Sequence, residues 1–210
     1  MEVQVVDNFL EEYHIDFLLS EIEHPSYLWR YVRNISNGAD DDTPWCHGFE
    51  SRLFDVDHNL TFSSTSKIFC PIFLKIYQGF GLPPSNLMKA RLDMTVRSPE
   101  RTIHLPHTDY EYKGNIPHYA GILYMNDSDG DTVIYNEIER SDNYSIQKII
   151  SPKKNRLVLF NGIYYHTGHS PSHHNNRILL NFDYSSHNID INPSDQYNKF
   201  TQMNLSNGSN

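Results

Sequence analysis

Residues 176–184 read Asn176-Arg177-Ile178-Leu179-Leu180-Asn181-Phe182-Asp183-Tyr184. Ile178, Leu180, Phe182 and Tyr184 recur at a period of two and leave Arg177, Leu179 and Asn181 on the opposite face, which is the pattern of a strand with two different faces. Upstream the same character holds for about a hundred residues. Short β-rich runs fall at 87–97, 104–109, 119–126, 132–136, 146–151, 156–160 and 164–168, separated by turn residues such as Asp129-Gly130 and Pro152-Lys153-Lys154-Asn155. Many short, evenly spaced strands imply a sandwich or barrel.

Before residue 87 the periodicity is helical. Phe9, Leu10, Tyr13, Phe17, Leu18 and Ile22 predict an amphipathic helix over 8–23, with Asn8 and Glu11 placed for a capping box. Ile68, Phe69, Ile72, Phe73 and Ile76 predict a second over 66–80, stopped by Gly81 and Pro83-Pro84. Residues 34–51, with Asn37-Gly38, Asp40-Asp41-Asp42 and Pro44, read as an acidic loop. The expected organisation is a single domain over 1–186, in which 1–86 is helical support and 87–186 the β core. A polar tail follows over 187–210.

The 210 residues carry a net charge of −9, which argues against general nucleic-acid binding, because that grip comes from clustered Lys and Arg releasing counterions. Cys46 and Cys70 form no C-x-x-C, so neither a zinc knuckle nor a disulfide framework is expected. The N-terminus lacks the basic start and apolar run of a signal peptide, and no stretch is apolar enough to span a bilayer. These features predict a cytoplasmic protein with no membrane partner.

Two H-x-D triplets are present, His14-Ile15-Asp16 and His107-Thr108-Asp109, and roughly one is expected by accident in a chain this rich in His and Asp. On a helix, side chains two apart diverge; on a strand they point the same way. His107 and Asp109 lie in the β-rich half and are the better pair. His166 follows the apolar run 157–160 after one short turn, with His169 as its local rival. Two imidazoles and a carboxylate make the facial triad of non-haem Fe(II), and an arginine nearby takes a carboxylate through two parallel hydrogen bonds.

In this order and spacing, His107-Thr108-Asp109, the strand Ile122-Leu123-Tyr124-Met125-Asn126-Asp127 with Gly130-Asp131-Thr132 after it, the run Asn155-Arg156-Leu157-Val158-Leu159-Phe160 before His166, and Arg177 eleven residues beyond resemble the 2-oxoglutarate- and Fe(II)-dependent dioxygenases, in the branch that includes prolyl 4-hydroxylases and related bacterial and phage enzymes. The resemblance spans about residues 87–184. It implies a mainly β fold with flanking helices, a double-stranded β-helix (jelly roll) with the N-terminal helices packed on one sheet. It implies iron held by His107, Asp109 and His166, the far carboxylate of 2-oxoglutarate held by Arg177, and a hydrogen bond to the same cosubstrate from Tyr124. The face of 176–184 that carries Arg177 would then line the interior pocket, where a buried arginine requires an anion.

The implied reaction consumes O2 and 2-oxoglutarate, releases succinate and CO2, and hydroxylates a C–H bond. A peptidyl substrate such as a prolyl residue is the first expectation, a free amino acid or other small molecule the second, a nucleobase the third. Many prolyl hydroxylases carry Lys where Arg177 stands, which leaves cosubstrate binding intact and weakens the case for proline. The competing classes are a non-catalytic metal-binding jelly-roll module and a zinc hydrolase. His104, His118 and the pair His173-His174 are expected at loops or on the rim.

Overall fold

The computed structural model describes residues 2–35, 46–110 and 116–186. Among the described residues, ten strands and two α-helices follow in chain order: β1 (Gln4–Val6), α1 (Glu12–Glu23), β2 (Arg30–Val32), β3 (Gly48–Asp55), α2 (Cys70–Phe80), β4 (Leu87–Val96), β5 (His118–Tyr124), β6 (Thr132–Tyr135), β7 (Ile146–Ile150), β8 (Leu157–Asn161), β9 (His166–Gly168) and β10 (Asn176–Ser185). Seven strands form one antiparallel sheet in the order β1-β8-β5-β10-β4-β3-β2; the other three form a second, β7-β6-β9. The two sheets make a jelly roll, and both helices pack on the outer face of the larger one.

Alternation along the central strands sorts side chains into the two layers. Ile178, Leu180, Phe182 and Tyr184 of β10 join Leu157 and Leu159 of β8 and Leu123 of β5 in one core with Ile15, Leu18 and Ile22 of α1 and Ile72, Phe73 and Ile76 of α2. Leu179, Val158, Phe160, Ala120, Ile122 and Tyr124 face the other way and meet Ile134 and Ile150 of the smaller sheet. The face expected to carry Arg177, Leu179 and Asn181 inward does so.

Three expectations are corrected. Residues 34–51 do not stay a loop to their end, since β3 begins at Gly48 and pairs with both β4 and β2; β1, β2 and β3 thus add three strands to the larger sheet from a region read as helical. Helix α1 begins at Glu12, and Asn8 is left-handed (φ 53°) rather than a cap. The side chain of Asn155 clamps the entry instead, accepting from Leu10 N at 2.8 Å and donating to Leu10 O at 2.7 Å, which buries Phe9 and Leu10 outside the helical phase. The helical stripe narrows accordingly to Ile15, Leu18 and Ile22, and Tyr13 is 77% exposed. Residues 104–109 form no ladder; only Ile103 and His107 bridge, to His169 and His166. The second helix matches expectation: a 3-10 turn, Ser66–Phe69, leads into α2, and Gly81, left-handed at φ 70°, donates to Tyr77 O at 2.9 Å to end it.

Asp40-Asp41-Asp42 and the tail 187–210 lie outside the described residues. Among the described residues no helix is long and apolar enough to cross a membrane.

The helix layer and the sheet share one core at Phe73. Its ring is fully buried, 5.7 Å from Phe62, 5.7 Å and edge-on to Phe182, and 6.5 Å from Tyr184. Phe73→Ala is expected to destabilise the fold by about 3–5 kcal/mol, read as a lower urea midpoint at unchanged slope. An unchanged midpoint would show that α2 is not part of the cooperative core.

Candidate metal centre and anion pocket

His107 and His166 are brought together by backbone pairing. His107 N donates to His166 O at 3.0 Å and His166 N to His107 O at 2.9 Å, which sets the two rings 4.7 Å apart between centroids. Asp109 follows in a turn, 5% exposed. One ligand atom from each of His107, Asp109 and His166 lies within 4.8 Å of the others. The shared direction of His107 and Asp109 thus comes from an isolated bridge and a turn rather than from a regular strand.

Each imidazole has a fixed tautomer. His107 Nδ1 lies 3.1 Å from Leu105 O and His166 Nδ1 lies 3.2 Å from Tyr164 O. A carbonyl only accepts, so both Nδ1 atoms carry the hydrogen and both Nε2 atoms present a lone pair, the arrangement that carbonyl partners impose on metal-ligating histidines. Phe160 packs edge-on against the His166 ring at 5.1 Å. Burial, reinforced by His107, lowers the pKa of His166 to about 4, so the ring is neutral near pH 7.

Asp109 completes the donor set. Its Oδ2 is buried without a hydrogen-bond partner and stands 3.6 Å from His166 Nε2. A buried carboxylate oxygen without a partner is costly, and a cation between Oδ2 and the two Nε2 atoms removes that cost. Burial raises the pKa of Asp109, but Lys89, then His166 and His107, outweigh it and hold the carboxyl well below its ordinary range. Two nitrogens and one oxygen, with no thiolate, suit Fe(II) with positions left open for further ligands. His169 is excluded from this group; it lies on β9's extension near Arg101 and Asp131, and burial lowers its pKa to about 4.

Arg177 lines the same open cavity as His107 and His166. The residue is 6% exposed, Nη2 donates to Thr132 Oγ1 at 2.6 Å, and Nε has no partner. Two glycines make room for it. A Cβ on Gly168 would stand 3.2 Å from Nη1, and one on Gly130 would stand 3.0 Å from Cδ and 2.3 Å from His169 O.

Tyr124 stands one layer back. Its hydroxyl donates to Thr132 Oγ1 at 2.6 Å, and the Arg177 guanidinium lies 5.5 Å from its ring centroid. Thr132, rather than Tyr124, lines the cavity. A hydroxyl offers one hydrogen and two acceptor lone pairs. With both lone pairs taken by Tyr124 and Arg177, the Thr132 hydrogen is left for an acceptor in the cavity. The role of Thr132 is not legible in the sequence because it depends on a side chain 45 residues away.

The cavity wall beside the metal group is charged. Arg91 Nη2 donates to Asp93 Oδ2 at 3.0 Å, and Nε approaches Asp93 Oδ1 at 2.7 Å; both residues line the cavity. Glu50 on β3 joins them, ion-paired to Arg91, Arg30 and Arg52. A signal for this wall was available: Lys89, Arg91, Asp93 and Thr95 alternate with Met88, Ala90, Leu92 and Met94 along one strand. His104 and His118 are corrected from rim to interior. His104 is 4% exposed and lies 2.9 Å from Ser170 Oγ through Nε2, and His118 is fully buried. His173 and His174 are exposed as expected, turned onto the carboxylate of Asp129.

No protein-family model matches the chain, and no curated protein matches it in sequence. Solved structures do. A 2OG-Fe(II) oxygenase family oxidoreductase from Burkholderia pseudomallei superposes with a TM-score of 0.64 at 10% identity, over 89% of this chain and 86% of that one. The fold is that of the 2OG-Fe(II) oxygenases. A prolyl hydroxylase from Trichoplax adhaerens, in complex with a hypoxia inducible factor peptide, gives 0.60 at 12% identity over 87% of this chain and 83% of that one. HygX from Streptomyces hygroscopicus, with nickel, 2-oxoglutarate and hygromycin B bound, gives 0.55 at 12% over 87% and 82%.

Proposed function

We propose that this protein is a 2-oxoglutarate- and Fe(II)-dependent dioxygenase that hydroxylates a C–H bond with release of succinate and CO2. The observation that carries the reading is the partnerless Oδ2 of Asp109, buried beside two imidazoles of fixed tautomer in a cavity that also holds Arg177. His107, Asp109 and His166 would hold the iron, and Fe(II) with 2-oxoglutarate and O2 supplies the oxidising chemistry. The chain's own residues bind and orient. Arg177 and the free hydrogen of Thr132 take the far carboxylate of the cosubstrate, Tyr124 fixes Thr132 from behind, and Phe160 limits rotation of the His166 ring. All three structural neighbours named above share this fold, and one of them binds a metal with 2-oxoglutarate. A zinc hydrolase would have no use for a guanidinium and a hydroxyl converging on an anion in the same cavity.

The test is anaerobic titration of the protein with Fe(II) and then 2-oxoglutarate, watching for the weak visible charge-transfer band of the chelate. The band is expected in the wild type, together with slow succinate formation in air without added substrate. If neither appears, the reading fails.

For the second substrate we propose a peptidyl group, prolyl first, on the likeness to a prolyl hydroxylase seen with its peptide. One observation favours a small polar molecule instead: the Arg91–Asp93 pair in the cavity wall, which matches charged groups better than a pyrrolidine ring. Succinate formation stimulated by proline-containing peptides supports the first, and stimulation confined to free amino acids or other small metabolites supports the second.

A further inference from the structure

A second cluster of titratable side chains lies behind Asp109. Strand β10 carries Asp183 on the same face as Arg177, and β4 sets Lys89 opposite it in register. Lys89 Nζ stands 3.3 Å from Asp109 Oδ1 and 3.4 Å from Asp183 Oδ2. His118 closes the far side, its Nε2 3.9 Å from Asp183 Oδ1 and its Nδ1 donating to Ile116 O at 2.7 Å. Tyr110 roofs the group, its ring 5.8 Å from the ammonium and 4.9 Å from the His118 ring. The Asp109 and Asp183 side chains are 1% and 0% exposed.

Two sealed carboxyls cannot both ionise without a cation beside them, and burial, then Asp109, pushes the Asp183 carboxyl above its ordinary range even with Lys89 alongside. Asp109, His118 and Asp183 also bring one ligand atom each within 4.8 Å of the others, the spacing of a second metal group. The ammonium of Lys89 already stands between the two carboxylates, and it reaches them from the interior of a ten-residue strand paired on both sides. It engages Oδ1 of Asp109 and leaves Oδ2 turned to His166.

We propose that Lys89 is a positioning residue for the metal-ligating carboxylate: its ammonium is the resident cation of the Asp109–Asp183–His118 cluster, ties Asp109 Oδ1 to Asp183, and thereby presents Oδ2 to the metal. The proposal rests on the reading of His107, Asp109 and His166 as a metal centre. Partners of this kind change metal affinity by about 10–100-fold. Without the ammonium, nothing holds Asp109 Oδ1 beside Asp183, and Oδ2 leaves its place.

The test is anaerobic Co(II) titration of the full chain, reading the d–d bands, the dissociation constant and the number of ions per chain, with circular dichroism to confirm folding. The wild type is expected to bind one ion. Lys89→Met is expected to bind about 10–100-fold more weakly, and Lys89→Met with Asp183→Asn, which removes the ammonium together with the second carboxyl it contacts, to recover to about three- to tenfold below the wild type. Folded Lys89→Met that binds within twofold of the wild type overturns the proposal. So does a wild type that binds two ions and falls to one in Asp183→Asn, because the cluster is then a second metal site. If Lys89→Met does not fold, the double variant decides, and wild-type affinity there overturns the proposal. A wild type that binds no ion defeats the metal-centre reading itself, which is a different result from any of these.

Discussion

Asp109→Ala is expected to abolish tight Fe(II) binding and, with it, succinate formation. Truncating one side of a buried charge pair costs about 2–5 kcal/mol of binding, which corresponds to roughly 30- to 5,000-fold in affinity. The apoprotein should survive the change, because Lys89 keeps Asp183 Oδ2 as a partner at 3.4 Å. That separates a lost ligand from a lost fold. Saturating Ni(II) should raise the unfolding temperature of the wild type, since a ligand that binds only the folded state at 100 times its dissociation constant adds about 2.7 kcal/mol. The same addition should leave Asp109→Ala unmoved. His166→Ala should behave alike and His169→Ala should not, because only His166 shares the cluster with Asp109. Equal thermal shifts in all four proteins would remove the metal centre from this site.

What could be read from the chain, and what could not, divides along the range of the forces involved. The alternation of Ile178, Leu180, Phe182 and Tyr184 is local, and burial of one face of a strand makes it legible; it correctly sent Arg177 inward. The strand β3 was hidden because its inward positions include Glu50, a charge that is buried only in the company of Arg30, Arg52 and Arg91. Arg30 and Arg91 come from other strands, and no local rule predicts a buried glutamate from partners 20 and 41 residues distant. His107 and Asp109 lie close to one another and to His166, but for a different local reason than a shared strand, since the bridge to His166 does what a regular strand is expected to do. Tyr124 was identified by its motif position, whereas the hydroxyl that meets the cavity belongs to Thr132, which becomes visible only when β5 and β6 are folded against each other.

The second large effect is expected at Arg177. Arg177→Met should weaken 2-oxoglutarate binding by about 30- to 5,000-fold, the 2–5 kcal/mol lost when one side of a buried hydrogen-bonded charge pair is truncated, while leaving Co(II) affinity within about twofold of the wild type. The guanidinium is not among the metal-ligand group, so the two measurements are independent. Arg177→Lys should fall between, because an ammonium keeps the charge and loses the planar fork that offers two parallel donors and reaches Thr132. Thr132→Val should add a smaller loss through the missing donor and should matter less once Arg177 is gone, since both act on one carboxylate. The dissociation constant is read from the charge-transfer band at fixed Fe(II). An Arg177→Met protein that binds 2-oxoglutarate as tightly as the wild type would mean that the cavity orients the cosubstrate elsewhere. Arg91 would be the remaining cavity-lining guanidinium among the described residues, and the wall with Asp93 would have to be reassigned from the second substrate to the first.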